Sequence, residues 1–171
     1  IAPTASISII AGGTSPGIEP ISANVFVQKT LSGTFTVKNR ALKKVLASYD
    51  KDDHQTWQSI LLNKGSVQHL DFLTQTERDV FKTAFELDQR WIIEHAADRQ
   101  EFIDQGQSVN VFLPANIHKR DLHEIHYSAW KKGMKGLYYA RSLSIQRAEA
   151  VGVAADNVKP KYEADECLAC E

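Results

Sequence analysis

The sequence predicts an α/β fold, and two observations carry that expectation. Towards the C-terminal side, Ser108–Leu113 reads as a β-prone run stopped by Pro114. Arg120–Lys132 then reads as a helix stopped by Gly133, and Gly136–Arg141 as a second strand. A strand, a helix and a strand in that order favour parallel pairing through a crossover. Ahead of this unit, short β-prone runs give way to segments with helical apolar spacing. Two or three strands are too few to close a sheet, so the remaining strands are expected from elsewhere in a longer chain.

Taken in order, the chain opens on small and apolar residues from Ile1 to Ile10. Gly12, Gly13, Pro16, Gly17 and Pro20 make residues 11–20 an irregular loop. Val25–Val27 and Thr34–Val37 are β-prone runs around Ser32-Gly33. Asn39 is placed to cap a helix reaching Tyr49, with Ala41, Leu42, Val45 and Leu46 on one face. A second helix holds Trp57, Ile60 and Leu61 and ends near Gly65. The longest helical signal runs from Glu77 to about Phe102. Thr74 and Glu77 form a capping-box pattern, and Val80, Phe81, Ala84, Phe85, Trp91, Ile92, His95 and Ala96 recur at helical spacing. A break near Leu87–Asp88 is compatible with this pattern but not demanded by it. The carboxylates along it (Glu86, Asp88, Glu94, Asp98, Glu101) read as a solvated face. After Ser144 no apolar period is sustained. The expected organisation is a folded portion over residues 1–144 and a flexible tail over 145–171.

Composition narrows the function. The 171 residues are 43% hydrophobic, enough for a packed core, and 24% charged with a net charge of −1. Neither the balance nor the scatter of six histidines suits a polyanion-binding surface. No apolar run approaches the roughly 20 residues of a membrane span, and no secretory signal pattern is present. The chain begins at Ile1 rather than Met, so a cut, processed or partial chain is expected. The two cysteines, Cys167 and Cys170, stand at the extreme C-terminus, where they cannot staple a fold. Such a pair suits a reducing compartment and reversible thiol chemistry.

Three motifs could carry chemistry. Pro3-Thr4-Ala5-Ser6-Ile7-Ser8 can open a helix whose free N–H groups bind phosphate, with small side chains that let the backbone approach an anion. An ordinary helix start would look the same. Tyr138-Tyr139 is either a β-prone aromatic pair or two phenols able to pass a radical between them. Neighbours in a regular strand point to opposite faces, so ring contact requires a strand end or an irregularity. Cys167-Leu168-Ala169-Cys170 has the spacing of a thiol-exchange pair. Half a zinc site would need two further ligands. His118, His123 and His126 lie far upstream, and the HEIH run is not the HExxH spacing, so redox chemistry is the favoured reading.

The order of these motifs is more specific than any one of them. IAPTASIS, then SPGIEPISANVFVQKTLSGTFTV, FIDQGQSVN, GMKGLYYARS and a closing DECLAC resemble the C-terminal part of the large, catalytic subunit of class I ribonucleotide reductases, over nearly the whole chain. The resemblance implies the closing portion of a ten-stranded α/β barrel, in a cytoplasmic enzyme that reduces ribonucleoside diphosphates by radical chemistry. It implies that Thr4, Ala5, Ser6 and Ile7 cradle the substrate diphosphate. It further implies that Tyr138 and Tyr139 relay the radical from a small subunit, and that Cys167 and Cys170 shuttle reducing equivalents from thioredoxin or glutaredoxin. No cofactor is expected on this chain directly; the metal cofactor belongs to the small, radical-generating subunit.

The family's radical-bearing cysteine and its active-site cysteine pair precede this region and are absent here. An upstream large-subunit fragment is therefore an expected partner, alongside the small subunit and the thiol reductant. The adenosylcobalamin-dependent class shares parts of the pattern, but the adjacent tyrosines argue against it, because that class needs no partner subunit to make its radical. A non-catalytic remnant and a stand-alone thiol-redox module are the remaining alternatives.

Overall fold

A computed structural model describes residues 1–11, 15–30 and 33–142. In chain order the elements are α1 (Ala5–Ile10), β1 (Val25–Thr30), β2 (Gly33–Lys38), α2 (Arg40–Ser48), α3 (His54–Leu62), α4 (Gln75–Val80), a 3-10 turn (Ala84–Glu86), α5 (Gln89–Gln100), β3 (Val111–Leu113), α6 (Lys119–Lys131) and β4 (Ala140–Ser142). They fall into two compact units. One holds residues 22–83, the other residues 1–21 together with 84–142. The expected tail, with Cys167 and Cys170, lies outside the described residues.

The 22–83 unit begins with the hairpin. β1 and β2 pair antiparallel from Val25↔Lys38 to Thr30↔Gly33. Asn39 ends the hairpin and starts α2, its side chain accepting from Ala41 N–H and Leu42 N–H. Of the apolar face read from the sequence, Leu42 and Leu46 are fully buried, Val45 packs beside them and Ala41 is exposed. They meet Val25, Trp57, Ile60, Val67, Leu70, Leu73 and Phe81 in one core. Asp53 caps α3 through Thr56 N–H, and the Thr74–Glu77 capping box is formed. After α3 the chain turns at Gly65, where φ is +80° and a Cβ would lie 2.4 Å from the Cβ of Ala23. Only glycine fits both the left-handed backbone and that approach.

One polar residue ties this unit together. Asn24 is buried just ahead of β1, and its Nδ2 donates to the carbonyls of Gly65 (3.0 Å) and Phe81 (2.7 Å). Its Oδ1 accepts from Asn39 Nδ2 at 2.9 Å. The hairpin, the α2 cap, the α3 turn and the end of α4 thus share a single side chain.

The long helical signal from Glu77 to about Phe102 is not one helix, and the break is wider than the sequence suggested. Ala84 N–H, which a continuous helix would give to Val80, goes instead to the carbonyl of Ile21. Asp88 restarts the helix by accepting from Arg90 N–H. Gln89 locks the restart: its Nε2 donates to Ala84 and Leu87 carbonyls, and its Oε1 accepts from Phe112 N–H. Tertiary bonds therefore outcompete helical periodicity over residues 81–88, and Val80 and Trp91, read as part of the apolar face, are exposed.

In the second unit the strand–helix–strand reading holds. β3 and β4 pair parallel, Val111↔Ala140 to Leu113↔Ser142, with α6 as the crossover. Both strands are shorter than their sequence runs. Val109, Val111 and Leu113 pack with Ile92, Ile93 and Ala96 of α5, Ala129 of α6, and Met134. The alternate residues Asn110 and Phe112 point to the other face. There Phe112 meets Phe85 edge-on at 5.2 Å.

Candidate functional site

The N-terminal segment and the tyrosine pair, distant in sequence, both bond to the residues that lead into β3. Ser108 N–H donates to the carbonyl of Ile1, while the neighbouring Val109 carbonyl accepts from Tyr138 N–H. Ser108 and Val109 stand just ahead of β3, where Val109 N–H turns back to the Gln107 carbonyl, so this short segment bonds the N-terminal residues and the tyrosines from adjacent positions.

In the N-terminal motif, Thr4 is the N-cap of α1, and Ala5, Ser6 and Ile7 form its first turn. Thr4 N–H donates to the Pro16 carbonyl at 3.0 Å, which ties the motif to the Gly-Pro loop. The Thr4 side chain makes no cap hydrogen bond, and no acidic residue stands in the first turn. Thr4 thus does not supply the side-chain acceptor an N-cap usually gives, a place an anion could take.

The backbone pairing with Val109 and Val111 explains how adjacent tyrosines touch. In a regular parallel ladder one residue both donates to and accepts from the opposing strand. Here the work is split: Tyr138 N–H donates to Val109 (2.8 Å) and the Tyr139 carbonyl accepts from Val111 N–H (2.9 Å). Two residues face the single Asn110, a one-residue bulge directly before β4. Alternation is interrupted there, and the two rings come to a centroid separation of 4.0 Å, tilted by 50°. Both are about half exposed (46% and 53%). The Arg141 guanidinium lies 5.7 Å from the Tyr139 ring centre, in cation–π range. The hydrogen bond with Tyr139 is the main cause that pushes the Tyr138 phenol above its ordinary range; Tyr139's charge acts the same way and Arg141 opposes it.

One feature of this region escapes the motif reading. Glu19 and Asn110 are both buried, and Asn110 Nδ2 donates to Glu19 Oε1. The only sequence signal for it was compositional: Glu19 is the sole charged side chain in residues 1–28.

Among the described residues, no group of three or more His, Cys, Asp or Glu side chains could hold a metal ion. No helix among them is long and apolar enough to cross a membrane.

With this geometry in place, comparison with known proteins identifies the class. The family model described as ribonucleotide reductase, barrel domain, matches residues 1–140, and the chain belongs to that family. Within it, the similarity is to large subunits. The ribonucleoside-diphosphate reductase large subunit of Invertebrate iridescent virus 6 is 52% identical over 88% of this chain and 16% of its own length. A putative large subunit of Frog virus 3 is 40% identical over the full chain and 30% of its own length. A solved structure, the class Id ribonucleotide reductase alpha subunit of Actinobacillus ureae, matches with a TM-score of 0.75 and 41% identity, covering 87% of this chain and 27% of that one. The chain thus spans between 16% and 30% of the length of these relatives. The α/β barrel portion expected from the sequence is the fold present.

Proposed function

We propose that this chain acts as part of the large subunit of a class I ribonucleoside-diphosphate reductase, a cytoplasmic enzyme that reduces ribonucleoside diphosphates to deoxyribonucleoside diphosphates. The observation that carries the reading is the contact between Tyr138 and Tyr139 at the bulge, on a chain whose residues 1–140 match the reductase barrel. Phenols in contact suit a radical relay: the oxidised tyrosine has lost one electron and its phenolic proton, and regains both from its neighbour. Partial exposure of both rings suits receipt of the radical from a small subunit, which would hold the metal cofactor. Thr4, Ala5, Ser6 and Ile7 would hold the substrate diphosphate at the start of α1, where the Thr4 side chain makes no cap hydrogen bond. Cys167 and Cys170 would carry electrons from thioredoxin or glutaredoxin, and an upstream large-subunit segment would supply the radical-bearing cysteine.

The test is reconstitution with that segment and a small subunit. Phe keeps the ring and loses the oxidisable hydroxyl. Tyr138→Phe and Tyr139→Phe should each abolish ribonucleoside diphosphate reduction while leaving substrate affinity nearly unchanged. Near-normal turnover in either variant removes that tyrosine from the relay.

A further inference from the structure

We infer that Glu19 and Asn110 form an acceptor pair for one cationic side chain, an arginine or a lysine, brought by the large-subunit segment that precedes this one. The inference rests on the reading that this chain works beside such a segment.

Glu19 is 6% exposed and Asn110 8%. After the bond from Asn110 Nδ2 to Glu19 Oε1, two buried oxygens remain without a partner: Glu19 Oε2 and Asn110 Oδ1. Both are acceptors on neighbouring side chains, and one carries charge. A buried carboxylate held by one neutral amide is costly unless a cation completes it. The chain offers none nearby in sequence: residues 1–28 contain no Lys, Arg or His. Among the described residues of this unit, Arg90 pairs with Asp88, Lys132 with Glu94 and Arg120 with Glu124. The position is built rather than loose. Ser15 Oγ donates to the Glu19 carbonyl at 2.6 Å, fixing the backbone. The Glu19 carboxylate lies against Gly17, where a Cβ would stand 2.8 Å from Oε2, so the position depends on glycine.

The direction of approach follows from β3. Val109 and Val111 pack with the helices, so Asn110 lies on the opposite side of β3, the side where Phe112 meets Phe85. Two acceptor oxygens, one anionic, match a guanidinium fork or an ammonium with several N–H donors. Because these relatives are more than three times longer than this chain, a neighbouring segment is the source in reach.

Glu19→Gln separates this role from a purely structural one. The substitution keeps an acceptor for Asn110 and removes the buried charge, the costly element when no cation is present. The two effects should have opposite signs. The 171-residue chain should melt at a higher temperature, while its affinity for the preceding segment, measured by calorimetric titration, should fall by about tenfold or more. Gly17→Ala, which crowds Oε2 without changing charge, should also weaken association. Unchanged affinity in Glu19→Gln overturns the inference and leaves the proposed function standing. So does a variant that both melts lower and binds less, since that marks a structural role. Failure of the unaltered chain to bind the preceding segment removes the inference and the reading beneath it.

Discussion

Asn24→Ala should destabilise the 22–83 unit by about 3–4 kcal/mol. Asn24 makes three side-chain hydrogen bonds from a buried position, to Gly65, Phe81 and Asn39. The Gly65 carbonyl keeps a partner in the Asn24 backbone N–H at 3.1 Å, and the part-buried Asn39 amide has access to water. Those two losses count as ordinary bonds, about 0.5–1.5 kcal/mol each, while an orphaned Phe81 carbonyl costs about 1–3 kcal/mol more. With a urea slope of about 1–2 kcal/mol per molar, the midpoint should fall by about 1.5–4 M. Asn24→Asp should be at least as damaging, because a carboxylate keeps the shape but turns an acceptor towards two carbonyls. Trp57 reports the transition: it is 4% exposed in this core, whereas Trp91 and Trp130 are mostly in solvent already. A loss below about 1 kcal/mol for Asn24→Ala, or a native-like midpoint for Asn24→Asp, would refute the assignment of Asn24 as the organising contact.

The remaining expectations concern acid stability and the tail. The carboxyls of Asp53 and Glu77 are held below their ordinary values of 3.8 and 4.5, chiefly by the Thr56 N–H and the Thr74 hydroxyl respectively. Lowered folded values mean that their stabilisation is present above those ordinary values and is lost as pH falls through the folded ones. Denaturation midpoints should therefore hold down to about pH 5 and decline below about pH 4. Asp53→Asn, which preserves the cap, should shallow that decline; identical pH profiles would exclude Asp53 as a contributor. In the reconstituted enzyme, Cys167→Ser or Cys170→Ser should stop turnover driven by thioredoxin or glutaredoxin, since one sulfur attacks and the other resolves the mixed disulfide. Dithiothreitol should largely restore it. Equal loss with both reductants would indicate a structural or metal-binding role instead.

What the sequence disclosed was local. Asn39, Asp53 and the Thr74–Glu77 pair set helix starts through bonds spanning two or three residues, and Asn39 and the capping box could be read directly. The hairpin and the parallel crossover followed from short runs and their stops. What it concealed depended on distant partners. The helix break at residues 81–88 is fixed by Ile21 and Phe112, neither of which leaves a mark on local periodicity. The Tyr138–Tyr139 contact was chemically suggestive, yet its geometry comes from the register with Val109 and Val111 across the crossover. Glu19 was visible only as a lone charge, and its partner Asn110 lies 91 residues away.

The bulge also determines what can come between the two phenols. Two rings brought together from separate strands, or from separate domains, part whenever those elements slide. Here a single peptide bond joins their backbones, and each residue is pinned to the same neighbouring strand by its own hydrogen bond. The spacing between the two backbones is thereby held locally. In the relay proposed above, parting the two phenols would take rotation of a side chain rather than sliding of one element past another.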